Sequence, residues 1–590
     1  MLPARLVQIF PLCLIAGVAA VSSSLRAATP PDAGQIFQQQ QPRQDTPPRS
    51  PEPSKPAIEQ SPFGGGDFRP AERRPEQAPA VTSATRRVAV KSFRIAGLTI
   101  APEAAVQALL EAHRNRESTI TQLHEAATVV QEYLRGLGYL VRVFVPTQDV
   151  KDGIVELRIV ESRIGAIQVL RGEGLRVNDE TIKNYFVEGG QAVGDLLQQA
   201  RIERDLLMVN DLAGVRARAI LVPGSDPGST TLMLNALAEP FVQGGISLDN
   251  SGNKFTGRDK LDGELRLNSP TGIGDSLSLR GSVSSNSEFS RIAYNTPLGS
   301  SGLAVGGAYS YNSYRLCCEF TPLQQNGWAR SYNLFASYPL VRSLARSVSA
   351  SLAYADKRIY SKALGVTSGD HKGTSWTPGL NGTWQDQWSG APARSSWNLQ
   401  ISFGETDLSS SPDRAADAAT ALTNGHFNKT TLNLGRAQKL DENWTLLAAL
   451  RAQIASKNLD SSEKLFLGGV SGVRAYPSGE AIGDSGVFLN AEVQREIAPK
   501  WLGSLFLDTG FIQLHQNPWT NWQAGNPNIK NKYALSGTGL SLTWQPGNEI
   551  TVRMMLATPL GRNPGRDVAG RNSENGKDGA RFWGALSWSF

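Results

Sequence analysis

Residues 444–454 read WTLLAALRAQI. Trp444, Leu446, Ala448, Leu450, Ala452 and Ile454 occupy every second position, and Thr445, Arg451 and Gln453 fall between them. Successive side chains of a strand point to opposite faces, so a period of two predicts a strand with one apolar face. Residues 550–557 repeat the pattern, with Ile550, Val552, Met554 and Leu556 opposed to Thr551 and Arg553. A soluble sandwich alternates in the same way, so the period alone does not say what covers the apolar face.

The N-terminus narrows the choice. Arg5 precedes an apolar run from Ile9 to Val21, and small residues follow in SSSLRAA. A cationic start, a short apolar segment and small residues predict a secretory signal peptide in residues 1–28, cut between Ala20 and Ala28. No later stretch approaches 18 consecutive apolar residues. A transmembrane helix is therefore not expected, which leaves an exported chain either soluble or a β-barrel.

Between 241 and 590 sixteen strand candidates can be laid out, separated by turn segments such as SPTGIGD, TPLGSSG and QPGN. If the first strand runs outward, the long connections 314–327, 361–372, 408–424, 458–484, 513–531 and 561–578 all fall outside, and the opposite side has short turns. An even strand count with that asymmetry predicts an outer-membrane barrel. The last strand, RFWGALSWSF, puts Phe582, Leu586, Trp588 and Phe590 on one face, as expected of an aromatic girdle and a barrel C-terminal signal carried by Trp588 and Phe590.

Upstream, residues 29–87 are rich in Pro, Gln, Arg and Ser, a linker composition, with DAGQIFQQQQ at 32–41 able to form a short helix. From Val88 the texture changes to strand, helix, helix, strand, strand. The second helix carries a stripe of Ile120, Leu123, Ala127, Val130, Leu134 and Leu137, with Ser118 as its expected N-cap. The same element order recurs from GAIQVL to TTLMLNAL, an internal repeat of an α+β module. The divisions are thus 88–162 and 163–239 for the modules and 240–590 for the barrel.

Several chemistries are not supported. The chain of 590 residues has 59 Lys and Arg against 53 Asp and Glu, so the formal charge of +6 is dispersed and no nucleic-acid partner is expected. Five histidines show no metal-ligand spacing, and no phosphate-binding G-x-x-x-x-G-K-[ST] loop is present, so neither metal nor nucleotide cofactor is expected. GDSG at 483–486 echoes a protease nucleophile segment without a suitably framed His and Asp. Cys13 falls in the signal peptide, leaving Cys317 and Cys318 as a free or vicinally bridged pair.

The predicted external loop at 458–484 contains FLGGVSGVRAYPSGEAIGDSG (466–486), many glycines around one cation, and two strands later comes FLDTG (506–510), in which Phe506, Asp508 and Gly510 share a face. Here the chain resembles the outer-membrane transporters of two-partner secretion, the ShlB/FhaC/HecB family. The resemblance spans nearly the whole mature chain, from two POTRA-like modules to the terminal Phe. GVRAYP, with Gly472, Val473, Tyr476 and Pro477, matches that superfamily's VRGY or VRGF loop, and FLDTG its F-x-D-x-G strand. Ala475 stands where a glycine is usual.

The resemblance implies two POTRA-like modules followed by a 16-stranded antiparallel transmembrane β-barrel, with the loop folded inward and Arg474 paired with Asp508. It implies a non-enzymatic translocase in the outer membrane with its modules in the periplasm, and a plug role for residues 32–41. The implied partners are a large exoprotein with an N-terminal secretion domain, outer-membrane lipid, and the barrel-assembly machinery during biogenesis. A barrel-assembly insertase and a passive porin are the competing readings.

Overall fold

The computed structural model describes residues 30–40, 87–523 and 526–590. The predicted signal peptide and the Pro/Gln-rich linker residues 41–86 lie outside the described residues.

In the first module the strands Ser92–Ala96, Val141–Phe144 and Ile154–Glu161 form a sheet in which the first pairs parallel, and the second antiparallel, with the third. Helix Ile120–Gly136 buries Leu123, Ala126, Ala127, Val130 and Leu134 against it. Its cap is Thr119 rather than Ser118. The Thr119 hydroxyl accepts from the Gln122 amide, and the Gln122 side chain accepts from the Thr119 amide, a reciprocal box that needs Thr and Gln three residues apart. Ser118 is instead buried in a short extra strand, Arg116–Thr119, paired with Arg87–Val90.

The second module repeats the connectivity with strands Arg163–Arg171, Val215–Pro223 and Ser229–Ala238 and helices Asp179–Glu188 and Gln199–Asn210. Its core packs Ile182, Phe186, Ile202, Leu206 and Leu234. Among these apolar groups lies one carboxylate, Asp205, fully buried, with Oδ1 held by Arg204 at 3.1 Å and Oδ2 without a partner. Burial raises its pKa to about 7, against the opposing pull of Arg204. An unfolded Asp titrates near about 3.9, so the folded module is the stronger proton binder. The stabilising contribution of the protonated acid is complete below the unfolded pKa and is lost as pH rises through 7. The module is expected to be more stable at pH 5 than at pH 8. Asp205→Asn is expected to flatten that dependence and to gain about 1–2 kcal/mol at pH 8. Amide exchange of helix Gln199–Asn210 against pH checks it.

The two modules join through main-chain bonds, Leu140 N to Leu197 O and Leu197 N to Ser162 O. The second module then docks on the barrel's short turns. Arg342 holds Asp211 with two bonds, at 2.9 and 2.7 Å, and Arg176 Nε donates to Ser269 O at 2.8 Å.

Sixteen antiparallel strands close into a barrel, the first, Val242–Asp249, pairing with the last, Arg581–Ser589. Alternation places Leu505 and Leu507 outward, 65% and 47% exposed, while Phe506 and Asp508 point inward at 3% and 0%. The long connections 408–424, 456–484, 514–531 and 560–580 lie at one end. The expected loop at 361–372 is not a loop: strands Arg346–Ala363 and Val366–Asp386, of 18 and 21 residues, meet in a two-residue turn. Leu364 and Gly365 both have positive φ, 51° and 79°, the primed turn whose twist matches a hairpin. Both strands exceed the about 9–11 residues needed to span a bilayer, so the hairpin projects beyond it. The connection expected at 314–327 is shortened to 316–325, where Cys317 and Cys318 are bonded to each other.

The closing seam is short, with register pairs only from Ala585–Asp249 to Ser589–Gly245. Phe590 extends it by exchanging both main-chain bonds with Gly244, at 3.0 and 2.9 Å, and its ring lies 4.9 Å from that of Trp588. Deleting Phe590 is expected to lower the folded fraction in the outer membrane several-fold, read as loss of the heat-modifiable band on unboiled gels.

Inside the barrel, helix Ala33–Gln40 buries Ala33, Ile36 and Phe37 in a cluster with Phe255, Tyr314, Ala329 and Ile359.

Candidate functional site

The connection 456–484 folds back into the lumen. A two-residue ladder, Leu465–Phe466 against Ile482–Gly483, starts the return, and Leu467 N to Ala481 O and Gly468 N to Glu480 O continue it. Within the tip, Val473 N reaches Leu467 O at 2.6 Å. This turn is too tight for a side chain at Gly472, where a Cβ would stand 1.9 Å from Leu467 O. The other wall leaves matching space. At Gly510 a Cβ would meet the Leu467 side chain at 2.9 Å, and at Gly537 it would meet the Ala475 methyl at 2.5 Å. Ala475 therefore fits where a glycine is usual because the facing strand supplies the glycine. Val473 and Tyr476 are fully buried with Leu467, Phe506, Ile512 and Leu535. Pro477 closes the turn, its carbonyl accepting from Glu480 N at 3.1 Å.

Arg474 is 8% exposed. Its Nε donates to Asp508 Oδ2 at 2.8 Å and Nη2 to Oδ1 at 2.9 Å, a bidentate pair, and its own amide adds a third bond to Oδ2 at 3.1 Å. Nη1 turns to Glu492 Oε2 at 2.9 Å, and the guanidinium lies 3.4 Å from the Phe506 ring centroid. Asn490 Nδ2 gives Asp508 a further donor at 2.7 Å, and Trp583 Nε1 donates to Arg474 O at 2.8 Å.

Glu492, Asn490 and Trp583 were not singled out from the sequence. Glu492 and Asn490 sit two apart on the strand next to FLDTG, and that inward period of two is the one signal they carry. Three further carboxylates hold the loop. Glu480 accepts from Asn563 Nδ2 and from the Ser573 amide, each at 2.7 Å. Asp484 accepts from the Leu459 and Gln516 amides at 3.0 and 2.8 Å and from Lys464. Glu463 is clamped between Lys357 and Lys429 at 2.5 and 2.6 Å. The GDSG serine, Ser485, accepts from the Ala455 amide at 3.0 Å, and Asp484 is committed as described, so that segment is structural. Trp588 and Phe590 lie apart from this cluster on the lipid face.

A closed barrel with lipid-facing and lumen-facing alternation, preceded by α+β modules and carrying a loop folded into its lumen, defines an outer-membrane barrel of the POTRA-bearing class. Residues 228–527 match the family model of the haemolysin secretion/activation protein ShlB/FhaC/HecB, and residues 88–162 match the ShlB-type POTRA domain. The heme/hemopexin transporter protein HuxB of Haemophilus influenzae is 25% identical over 467 residues, covering 77% of this chain and 80% of that protein. The outer membrane transporter CdiB of Dickeya dadantii is 26% identical over 401 residues, 65% of this chain and 68% of that one. The solved CdiB of Escherichia coli superposes with a TM-score of 0.67 at 20% identity over 87% of this chain and 93% of its own. The chain belongs to the ShlB/FhaC/HecB family. It is an outer-membrane transporter whose modules stand in the periplasm.

Proposed function

We propose that the chain secretes one large exoprotein by two-partner secretion, as a translocase that neither hydrolyses nucleotide nor acts as an enzyme. The observation that carries this reading is the loop 456–484, anchored inside the lumen by Arg474 on Asp508 and Glu492 beside a remaining cavity of about 1020 Å³. A passive porin has no need of a loop held by five separate carboxylates, nor of two modules at its periplasmic end.

The modules at 88–162 and 163–239 capture the exoprotein's N-terminal secretion domain, by adding a strand to an open sheet edge. The partner crosses as an extended chain, and its folding outside gives direction. Arg474 and Asp508 are the loop latch. Gly472, Val473, Tyr476 and Pro477 shape the loop tip, and Phe506 and Gly510 shape its seat. Trp588 and Phe590 are read by the barrel-assembly machinery. Residues 1–28 direct export, and the helix at 33–40 plugs the resting barrel.

Cells carrying the chain and an exoprotein with a matching secretion domain are expected to release that exoprotein to the medium, and deletion of 88–162 is expected to stop release with the barrel still in the membrane. Release that persists without the first module would remove its role in capture. A change in other outer-membrane proteins without any release would favour the insertase reading.

A further inference from the structure

The lumen is filled on one side by helix Ala33–Gln40, against Tyr314, Ala329 and Ile359, and on another by the loop, against Phe506, Leu535 and Ala557. The cavity of about 1020 Å³ left between them is lined by the first two strands with Arg280 of the third, by the wall from 394 to 451, by the loop tip and by the strands that follow it. Most carboxylates on this lining are already engaged. Asp508 and Glu492 hold Arg474, and Asp249 and Asp262 face Lys260 at 3.7 and 3.3 Å. The lining acid without such a partner among the described residues is Glu264.

Three cations of the lumen wall are not matched in this way, while Arg436, for one, is paired with Asp386 at 2.8 Å. Among the described residues no carboxylate comes within 4.0 Å of Arg266 or Arg394, both exposed to the cavity. Arg280 reaches Asp262 only at 4.0 Å. Arg291 donates to a neutral group, Ser310 Oγ, at 3.0 Å. Arg280 and Arg291 are also directly opposite each other in register on the inward face. Glu264 faces Arg280 in register from the other neighbouring strand, but the opposed arginines still cost their own strand pair, and on a face they share with Ser278, Ser282, Ala293 and Asn295 this points to use by something that passes.

We infer that Arg266, Arg280 and Arg394 form an electropositive track that engages carboxylates of an extended, acidic polypeptide, which names the cargo chemistry and rests on the translocase reading. A cleft lined by one sign of charge and walled by low-dielectric material focuses its field on the opposite charge. Arginine offers a planar fork to each carboxylate, and the contacts are exchangeable because water reaches them. An extended chain advances about 3.3–3.6 Å per residue, so a carboxylate every few residues can be handed from one guanidinium to the next.

The test uses the full chain in detergent micelles and a fluorescein-labelled peptide of alternating Glu and Gly, followed by anisotropy. The peptide is expected to bind, more weakly as salt rises. The triple variant Arg266→Gln/Arg280→Gln/Arg394→Gln is expected to bind at least about tenfold more weakly, whereas Arg414→Gln/Arg562→Gln, at exposed positions of the outer connections, stays within about twofold of wild type. Heat-modifiable mobility reports whether the triple variant folds; if it does not, Arg394→Gln alone is expected to weaken binding about threefold. Equal affinity of wild type and the folded variant overturns the inference, and so does tighter binding of a Lys/Gly peptide or of a labelled oligonucleotide. Exoprotein release by the wild-type chain is scored separately. Its absence would remove the translocation reading while leaving the wall's charge preference measured.

Discussion

Arg474→Ala is expected to cut exoprotein release by more than about tenfold while the barrel remains folded in the outer membrane. The substitution leaves Asp508, fully buried, with Asn490 as its remaining side-chain donor. Removing one partner of a buried pair costs about 3–5 kcal/mol, and each 1.4 kcal/mol is about tenfold in the ratio of docked to undocked loop. Amide exchange across 465–483 should rise accordingly. Asp508→Ala is expected to be milder in exchange, because Glu492 still holds one arm of Arg474 at 2.9 Å. Lysine at 474 is expected to rescue little, since one ammonium cannot serve both Asp508 oxygens and Glu492 at once. The same geometry bears on the charge-swapped pair. An aspartate at 474 would face Glu492, a like charge, so Arg474→Asp/Asp508→Arg is expected to stay defective, and adding Glu492→Gln to recover part of the release. Full release by Arg474→Ala with unchanged exchange would reduce the pair to a structural detail.

That asymmetry also shows which parts of the site could be read in advance. Arg474 and Asp508 each sit in a contiguous segment with a distinctive composition, GVRAYP and FLDTG. Glu492 lies in FLNAEVQREIA, where it reads as one more polar residue on an inward face, and its contact depends on register with the neighbouring strand. Alternation marked the barrel strands while one face met lipid. It could not mark the ends of the hairpin around Leu364 and Gly365, because outside the membrane both faces are polar and RIYSKALGVTSGDHKG loses its period. In the modules, Ser118 and Thr119 offer equal hydroxyls, and only the Gln122 partner selects the second. The helix at 33–40 was legible from DAGQIFQQQQ, yet its seat was not, since that seat is made by residues more than 200 positions away.

The seat itself can be tested with one atom group. At Gly34 a Cβ would stand 2.3 Å from Ser461 Oγ and 2.9 Å from the Ser462 amide nitrogen, so a branched side chain cannot dock without moving backbone. Gly34→Val is therefore expected to raise single-channel conductance in planar bilayers to the level of a chain lacking residues 29–60. Phe37→Ala is expected to act in the same direction, because Phe37 is 2% exposed and truncating a buried Phe costs about 3–5 kcal/mol. Unchanged conductance in both variants would sink the plug. The helix also touches the loop that carries Arg474: Gln38 Nε2 donates to Lys464 O at 2.8 Å, and the adjoining Glu463 is fixed by Lys357 and Lys429. Plug and latch thus share one support at 461–464, and loosening either should loosen the other. Combining Gly34→Val with Arg474→Ala is expected to be non-additive in loop exchange by more than about 0.5 kcal/mol. Strict additivity would mean that the helix leaves and the loop moves as independent events.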